Sequence, residues 1–173
     1  MKKTEKIKIP LLLFVICLAV CWIFVLQYGI FGSNLDWINQ HSVLPDYFRQ
    51  RFYDTGQLFP DIAWNLGAGQ NIYNFSYYGL FNPIIWISYL LPFVPMSLYI
   101  QITSILSYGA SVVIFYCWLK KKCDDRITLA CTFLFLLAAP LVYHSYNQLM
   151  FVNYMPFLCA AFLGVDKYVE EKK

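Results

Sequence analysis

Lys120-Lys121-Lys122-Cys123-Asp124-Asp125-Arg126 is a charged turn between two apolar runs, and the side of the membrane on which it lies decides the fold. A transmembrane helix needs about 20 mostly apolar residues. Such runs extend from Ile9 to Phe31, from about Val94 to Leu119, from about Ile127 to Ser145 and from about Leu149 to Val165. The last two are short and carry Pro140 and Pro156. Membrane helices tolerate proline when neighbours satisfy the freed carbonyls. A fifth stretch, Leu80 to Pro92, offers only about a dozen residues, which suits a re-entrant or interfacial segment better than a crossing.

Lysine and arginine accumulate in cytoplasmic loops. Here they sit in the tail before Ile9, in the turn 120–126 and in the tail after Val165; only Arg49 and Arg51 lie elsewhere. If Leu80–Pro92 does not cross, all three basic segments fall on one side. If it crosses, the lysine turn moves outside. The first arrangement is expected: an all-α, multi-pass integral membrane protein of about four crossings with both termini cytoplasmic. Its order is a tail 1–8, helix 9–31, an outer loop 32–93 with a surface helix and a re-entrant segment, helix 94–119, the turn 120–126, helices 127–145 and 149–165, and a tail 166–173.

Composition agrees with a bilayer as the solvent. Hydrophobic residues make up 60% of the 173 positions and charged residues 13%, against about 25% charged in soluble domains. The net charge of +3 is small and the lysines form no basic face, so no nucleic-acid partner is expected. Cys17, Cys21, Cys117, Cys123, Cys131 and Cys159 include no C-x-x-C pair and fall mostly in apolar runs, so they read as small apolar side chains. The first apolar run exceeds a signal h-region of about 7–15 residues and reads as an uncleaved anchor.

The outer loop carries the residues that point to function. Asp36 follows the first helix in Asn34-Leu35-Asp36-Trp37. A carboxylate there serves as a general base, binds a divalent metal that holds a lipid-linked phosphate, or merely caps a short helix. His41 either shares a proton with Asp36, contacts a phosphate, or is a polar surface residue. Leu44, Tyr47, Phe48, Arg51 and Phe52 follow a helical period over Val43–Tyr53, with Thr55-Gly56 as a stop, and this helix is expected on the membrane surface. Arg49 and Arg51 suit a phosphate through the guanidinium fork, or meet lipid headgroups. Trp64-Asn65-Leu66-Gly67-Ala68-Gly69-Gln70-Asn71 combines an aromatic ring, amides and glycines, a set that holds a sugar or packs as a loop. His144, Asn147, Gln148 and Asn153 line a cavity or mark a short outer hairpin. No P-loop, G-x-S-x-G or H-E-x-x-H motif is present, and no cofactor beyond a possible divalent metal is indicated.

Several landmarks recur in a known order. Asp36 through Gln40, Tyr47-Phe48-Arg49, the Trp64–Asn71 stretch, Tyr77-Tyr78 and Asn82-Pro83 resemble the start of the YfhO family of bacterial membrane proteins. The resemblance implies the N-terminal part of a GT-C type glycosyltransferase. Such an enzyme takes a sugar from a polyprenyl-phosphate donor at the outer face of the cell membrane and delivers it to an envelope polymer such as teichoic acid. It implies Asp36 as the catalytic carboxylate. His41, Arg49, Arg51, Trp64, Asn65, Gln70, Asn71, Tyr77 and Tyr78 become the candidate substrate-binding residues. Family members are several times longer, so the chain is expected to be a truncated product, a fragment or one part of a split protein with a C-terminal continuation. The competing expectation is a non-catalytic envelope-assembly or lipid-binding protein. A transporter is disfavoured because the crossings carry no central charge.

Overall fold

The structure is a computed structural model describing residues 3–29, 31–33, 36–147 and 153–172. In chain order these form α1 (Lys3–Tyr28), a π-helical turn (Trp37–His41), α2 (Val43–Thr55), β1 (Ile62–Ala63), β2 (Gln70–Asn71) and a 3-10 helix (Ile72–Tyr78). There follow α3 (Pro83–Ile87), a second 3-10 turn (Ser88–Leu90), α4 (Met96–Leu119), α5 (Asp125–Leu136), α6 (Ala139–Asn147) and α7 (Met155–Glu171). Asn34, Leu35, Gln148 and the start of the fourth apolar run at Leu149 lie outside the described residues. The chain divides into two compact units, one of residues 1–31 and 104–173 and one of residues 32–103.

The first unit is helical. Residues Ile7–Tyr28 of α1 and all of α4 are long and apolar enough to cross a membrane. At 1.5 Å per residue, the 22 residues Ile7–Tyr28 span roughly 33 Å, enough for a hydrocarbon core of about 30 Å. Leu13, Cys17 and Cys21, spaced by four, form the buried stripe of α1, while Leu11, Leu12, Val15, Leu18, Trp22, Ile23 and Leu26 stay exposed. A stripe that narrow with an apolar remainder is a lipid-facing helix rather than a water-facing one. Buried Ser104, Ser111 and Val112 and the small Gly109 let other helices approach α4; a Cβ on Gly109 would meet the Phe14 ring at 2.5 Å.

The third apolar run is two helices. α5 and α6 are bent by 41° at their break and form one broken span or a re-entrant loop. Pro140 explains the break, because it lacks the N–H that would bond to the carbonyl of Leu136. Tyr108 from α4 supplies the missing donor at 2.6 Å, and Ser104 donates to the carbonyl of Ser145 at 2.8 Å near the other end of α6. By length and composition, the described helices thus make two membrane spans, or three counting the bent pair. α7, with 17 residues, is shorter than either long helix. Its start carries Pro156 in the first turn, where a missing N–H costs nothing.

Besides the start of α4, the second unit is built of short helical segments and turns, so carbonyls at their ends need other donors. Side chains supply them. Tyr53 donates to the carbonyl of Tyr89 at 2.7 Å, Trp86 to Leu80 at 2.8 Å and Tyr99 to Ile84 at 2.5 Å. These three rings bury apolar area and each brings its polar tip to a carbonyl of a short helix or turn. Phe48, Ala63, Ile72, Leu80, Ile85 and Ile100 form its buried apolar centre. Leu80–Pro92 does not run as one helix; it breaks into α3, started by the Asn82 cap and Pro83, and the turn Ser88–Leu90.

Candidate functional site

Asp36 begins the site. Its backbone is helical (φ −67°, ψ −34°), and the π-turn Trp37–His41 follows directly. The Ser42 N–H reaches back to the carbonyl of Trp37 at 3.0 Å, a bond across five residues. Such widened turns occur rarely and often at functional positions. The turn buries Trp37 and His41 and leaves Asp36 half-buried. His41 is 1% exposed, which corrects the expectation of a surface histidine. The turn carries His41 to its buried side together with Trp37, and the Tyr78 ring lies against it.

A second element meets this turn. The 3-10 helix Ile72–Tyr78 starts at Asn71, whose side chain accepts from the Tyr73 N–H at 2.9 Å, and ends at Gly79 in the left-handed region (φ 105°). Its last residues deliver Tyr77 and Tyr78. The Tyr78 ring lies 5.5 Å from the His41 ring, and its hydroxyl donates to Gln40 Oε1 at 2.6 Å. Tyr77 packs edge-on against Tyr78 at 5.0 Å and is half exposed. Burial pushes the His41 imidazole below its ordinary range, against the opposing charge of Asp36. Partial burial, then Tyr78, then Asp36 push the Tyr77 phenol upward. Asp36, Gln40, His41, Tyr77 and Tyr78 therefore form one half-open, electrostatically coupled cluster.

The arginines behave differently from each other. Arg49 is 4% exposed. It donates to the carbonyls of Leu91 (3.3 Å) and Val94 (2.9 Å) and to Asp46 Oδ1 (2.6 Å). Its charge tempers the burial that pushes the nearby Tyr89 phenol up to about 12. The guanidinium is thus a staple between α2 and the chain leading to α4. Arg51 pairs with Asp54 at 3.6 Å, and its side chain is 20% exposed. The buried face of α2 is Leu44, Pro45, Phe48 and Arg49, so α2 turns this stripe into the protein.

The Trp64–Asn71 stretch is a hairpin. Ile62 pairs with Asn71 and Ala63 with Gln70. Gly67, Ala68 and Gly69 are all left-handed (φ 53°, 62° and 90°), and the Gln70 side chain closes against Gly67. Trp64 is 67% exposed, and Asn65 and Asn71 are also exposed. The hairpin leads directly into the Asp36 cluster in sequence, because Asn71 caps the 3-10 helix that carries Tyr77 and Tyr78. Among the described residues no group of three or more His, Cys, Asp or Glu side chains could hold a metal ion. His144 lines a small apolar pocket of about 220 Å³ with Phe135, Pro140, Leu141, Tyr154 and Met155. Gln40 and the π-turn were not singled out by sequence; the signal available was the polar run Asn39-Gln40-His41-Ser42 beside Trp37.

No curated protein and no solved structure matches the chain. Residues 6–173 match the family described as "Bacterial membrane protein YfhO", and the chain belongs to that family.

Proposed function

We propose that the chain is, or is part of, a GT-C type glycosyltransferase that moves a sugar from a polyprenyl-phosphate donor to an envelope polymer such as teichoic acid. The observation that carries this reading is the half-buried Asp36 coupled to His41 and Tyr77. A carboxylate in partial burial, beside neutral polar groups, has the character of a general base. Asp36 takes the proton of the acceptor hydroxyl as its oxygen attacks the anomeric carbon. The bond from that carbon to the donor phosphate breaks, and the lipid phosphate leaves with the electron pair. The half-exposed Tyr77 offers a flat face to a sugar ring, and exposed Trp64 offers another. Arg49 is engaged within the fold, which leaves Arg51 as the cation for the donor phosphate.

This reading takes both termini as cytoplasmic, the run from Leu149 to Val165 as a fourth crossing and residues 32–93 as facing outward. The lysine distribution supports that orientation.

The deciding experiment replaces Asp36 with Asn in the whole protein in its own cells and follows sugar on the isolated envelope polymers. The expected result is loss of transfer by at least about 100-fold at unchanged abundance in the membrane. Unchanged decoration would remove the catalytic reading. It would favour a lipid-binding or assembly role, for which the exposed Trp64, Phe81, Leu90 and Phe93 supply an apolar surface.

A further inference from the structure

The bend between α5 and α6 borders a pocket of about 220 Å³, which the first residues of α7 also line. Phe135, Ala138, Pro140, Leu141 and Met155 give it apolar walls. Its depth in the first unit follows from three helices. Leu136 lies eleven residues after Asp125 at the start of α5, and Met155 lies eleven before Asp166 on α7. At 1.5 Å per residue, each is roughly 17 Å along its helix from that carboxylate. Asp125 pairs with Lys120, and Asp166 accepts from Lys122 and Trp118, so both carboxylates sit beside the charged turn that ends α4. Tyr108, which reaches the Leu136 carbonyl, also lies eleven residues from that end of α4, at Leu119. A turn this charged stays at the membrane surface. Half of a hydrocarbon core of about 30 Å is about 15 Å. The bend and its pocket thus lie deep in the core, toward its middle.

Depth and lining together set the chemistry of an occupant. Apolar walls exclude water and hold hydrocarbon. The hydrocarbon found toward the middle of a bilayer is the distal part of the lipid acyl chains. Leu134 and Leu137, 74% and 62% exposed, bring that hydrocarbon directly against the bend. The two remaining lining residues, His144 and Tyr154, are rings, and Tyr154 is 52% exposed and so stands at the mouth. We propose that the pocket is a lipid site that takes the distal end of one acyl chain of a membrane phospholipid. The chain end enters from the lipid side and packs between the bend and the start of α7. It supplies dispersion contacts that the bent helix pair does not make with its own neighbours. The site is independent of the glycosyltransferase reading, because it needs neither a sugar donor nor Asp36.

The test uses the whole protein in nanodiscs of phosphatidylglycerol and phosphatidylcholine, doped with a phosphatidylcholine that carries a photoreactive diazirine. One probe has the diazirine at the end of an acyl chain, and the other has it close to the headgroup. Mass spectrometry locates the adducts after illumination. The chain-end probe should label Leu141 and Met155, and the headgroup-end probe should not. Leu134 and Leu137 report lipid outside the pocket at a similar depth. Ala138→Leu puts a larger side chain into the pocket, so it should remove the adducts at Leu141 and Met155 and keep those at Leu134 and Leu137. If Ala138→Leu does not accumulate in the membrane, Met155→Phe takes its place, read at Leu141. Adducts confined to Leu134 and Leu137 in the unaltered protein overturn the proposal. Equal labelling of the pocket by the two probes also overturns it, as does Leu141 labelling that survives in a folded pocket-filling variant. Loss of the Leu141 adduct on adding unlabelled polyprenyl phosphate overturns it as well, because the occupant is then an isoprenoid chain.

Discussion

The hydroxyl of Tyr108 donates a 2.6 Å hydrogen bond to the carbonyl of Leu136, the group that Pro140 leaves without its helical donor. Tyr108 is 1% exposed, so water cannot replace the lost bond. Tyr108→Phe should therefore destabilise the first unit by about 1–3 kcal/mol, the cost of an unsatisfied buried carbonyl. Pro140→Ala restores a backbone N–H near that carbonyl. Introduced together, the two changes should cost less than the sum of the singles. Thermal unfolding of the four proteins in one detergent measures the coupling; strict additivity would show that Pro140 and Tyr108 are independent.

Arg49 provides a second test, because its structural and substrate-binding roles predict different outcomes. As a staple, it holds the Leu91 and Val94 carbonyls and Asp46 at once, using the planar fork that lysine lacks. Arg49→Lys should lower the unfolding midpoint, with a cost of about 2–4 kcal/mol for a buried, multiply bonded charge. Transfer per folded molecule should stay near normal. Arg51→Gln should do the reverse: little loss of stability, because its Asp54 pair is long and partly exposed, and weaker donor binding. Equal effects of both changes on donor binding would return Arg49 to the substrate site.

These contrasts mark where the sequence was readable. α1 and α4 are legible because an uninterrupted apolar run of that length has one low-cost solution in a bilayer. Membership of the YfhO family was legible in the ordered landmarks from Asp36 to Pro83. The break between α5 and α6 was only hinted at, since Leu136, Leu137, Ala138 and Ala139 are apolar throughout and Pro140 alone signals a change. The burial of Arg49 was not legible, for a physical reason. The helical period puts Arg51 beside Leu44 and Phe48, but long-range bonds to Leu91 and Val94 pull Arg49 inward instead. The meeting of His41 with Tyr78 depends on a π-turn and a 3-10 helix, and hydrophobic periodicity signals neither.

At the other end of the first unit, Asp166 Oδ2 accepts from Lys122 and from the Trp118 indole, both at 2.8 Å. The Lys122 bond, with a smaller contribution from Trp118, holds the Asp166 carboxyl below its usual range. A carboxyl depressed in the folded state contributes stability above its unfolded value, near 3.8, and loses that contribution as pH falls through the folded value. The latch should be intact from pH 7 to 5 and open only in stronger acid. Asp166→Asn should open it at neutral pH. Cys159, 2% exposed on α7, reports this: its alkylation by a membrane-permeant maleimide, read by mass spectrometry, should accelerate in the variant. An unchanged rate would mean that α7 is held by its apolar face alone.

Two glycines make opposite predictions from the same substitution. A Cβ on Gly32 would lie 2.8 Å from the Trp37 indole, closer than carbon atoms pack. Trp37 is 3% exposed, so the ring cannot retreat into open space. Gly32→Ala should displace the indole and with it the π-turn that follows Asp36, lowering transfer as well as stability. On α7, Gly164 has nothing within 4 Å of its added Cβ. Gly164→Ala should be neutral or stabilising by about 0.5–1 kcal/mol, because alanine loses less chain entropy in a helix. Fluorine NMR of labelled tryptophan should show the Trp37 signal moved in Gly32→Ala and unmoved in Gly164→Ala. An unmoved Trp37 signal in Gly32→Ala would mean that the close approach of Gly32 to the indole is not maintained in the membrane.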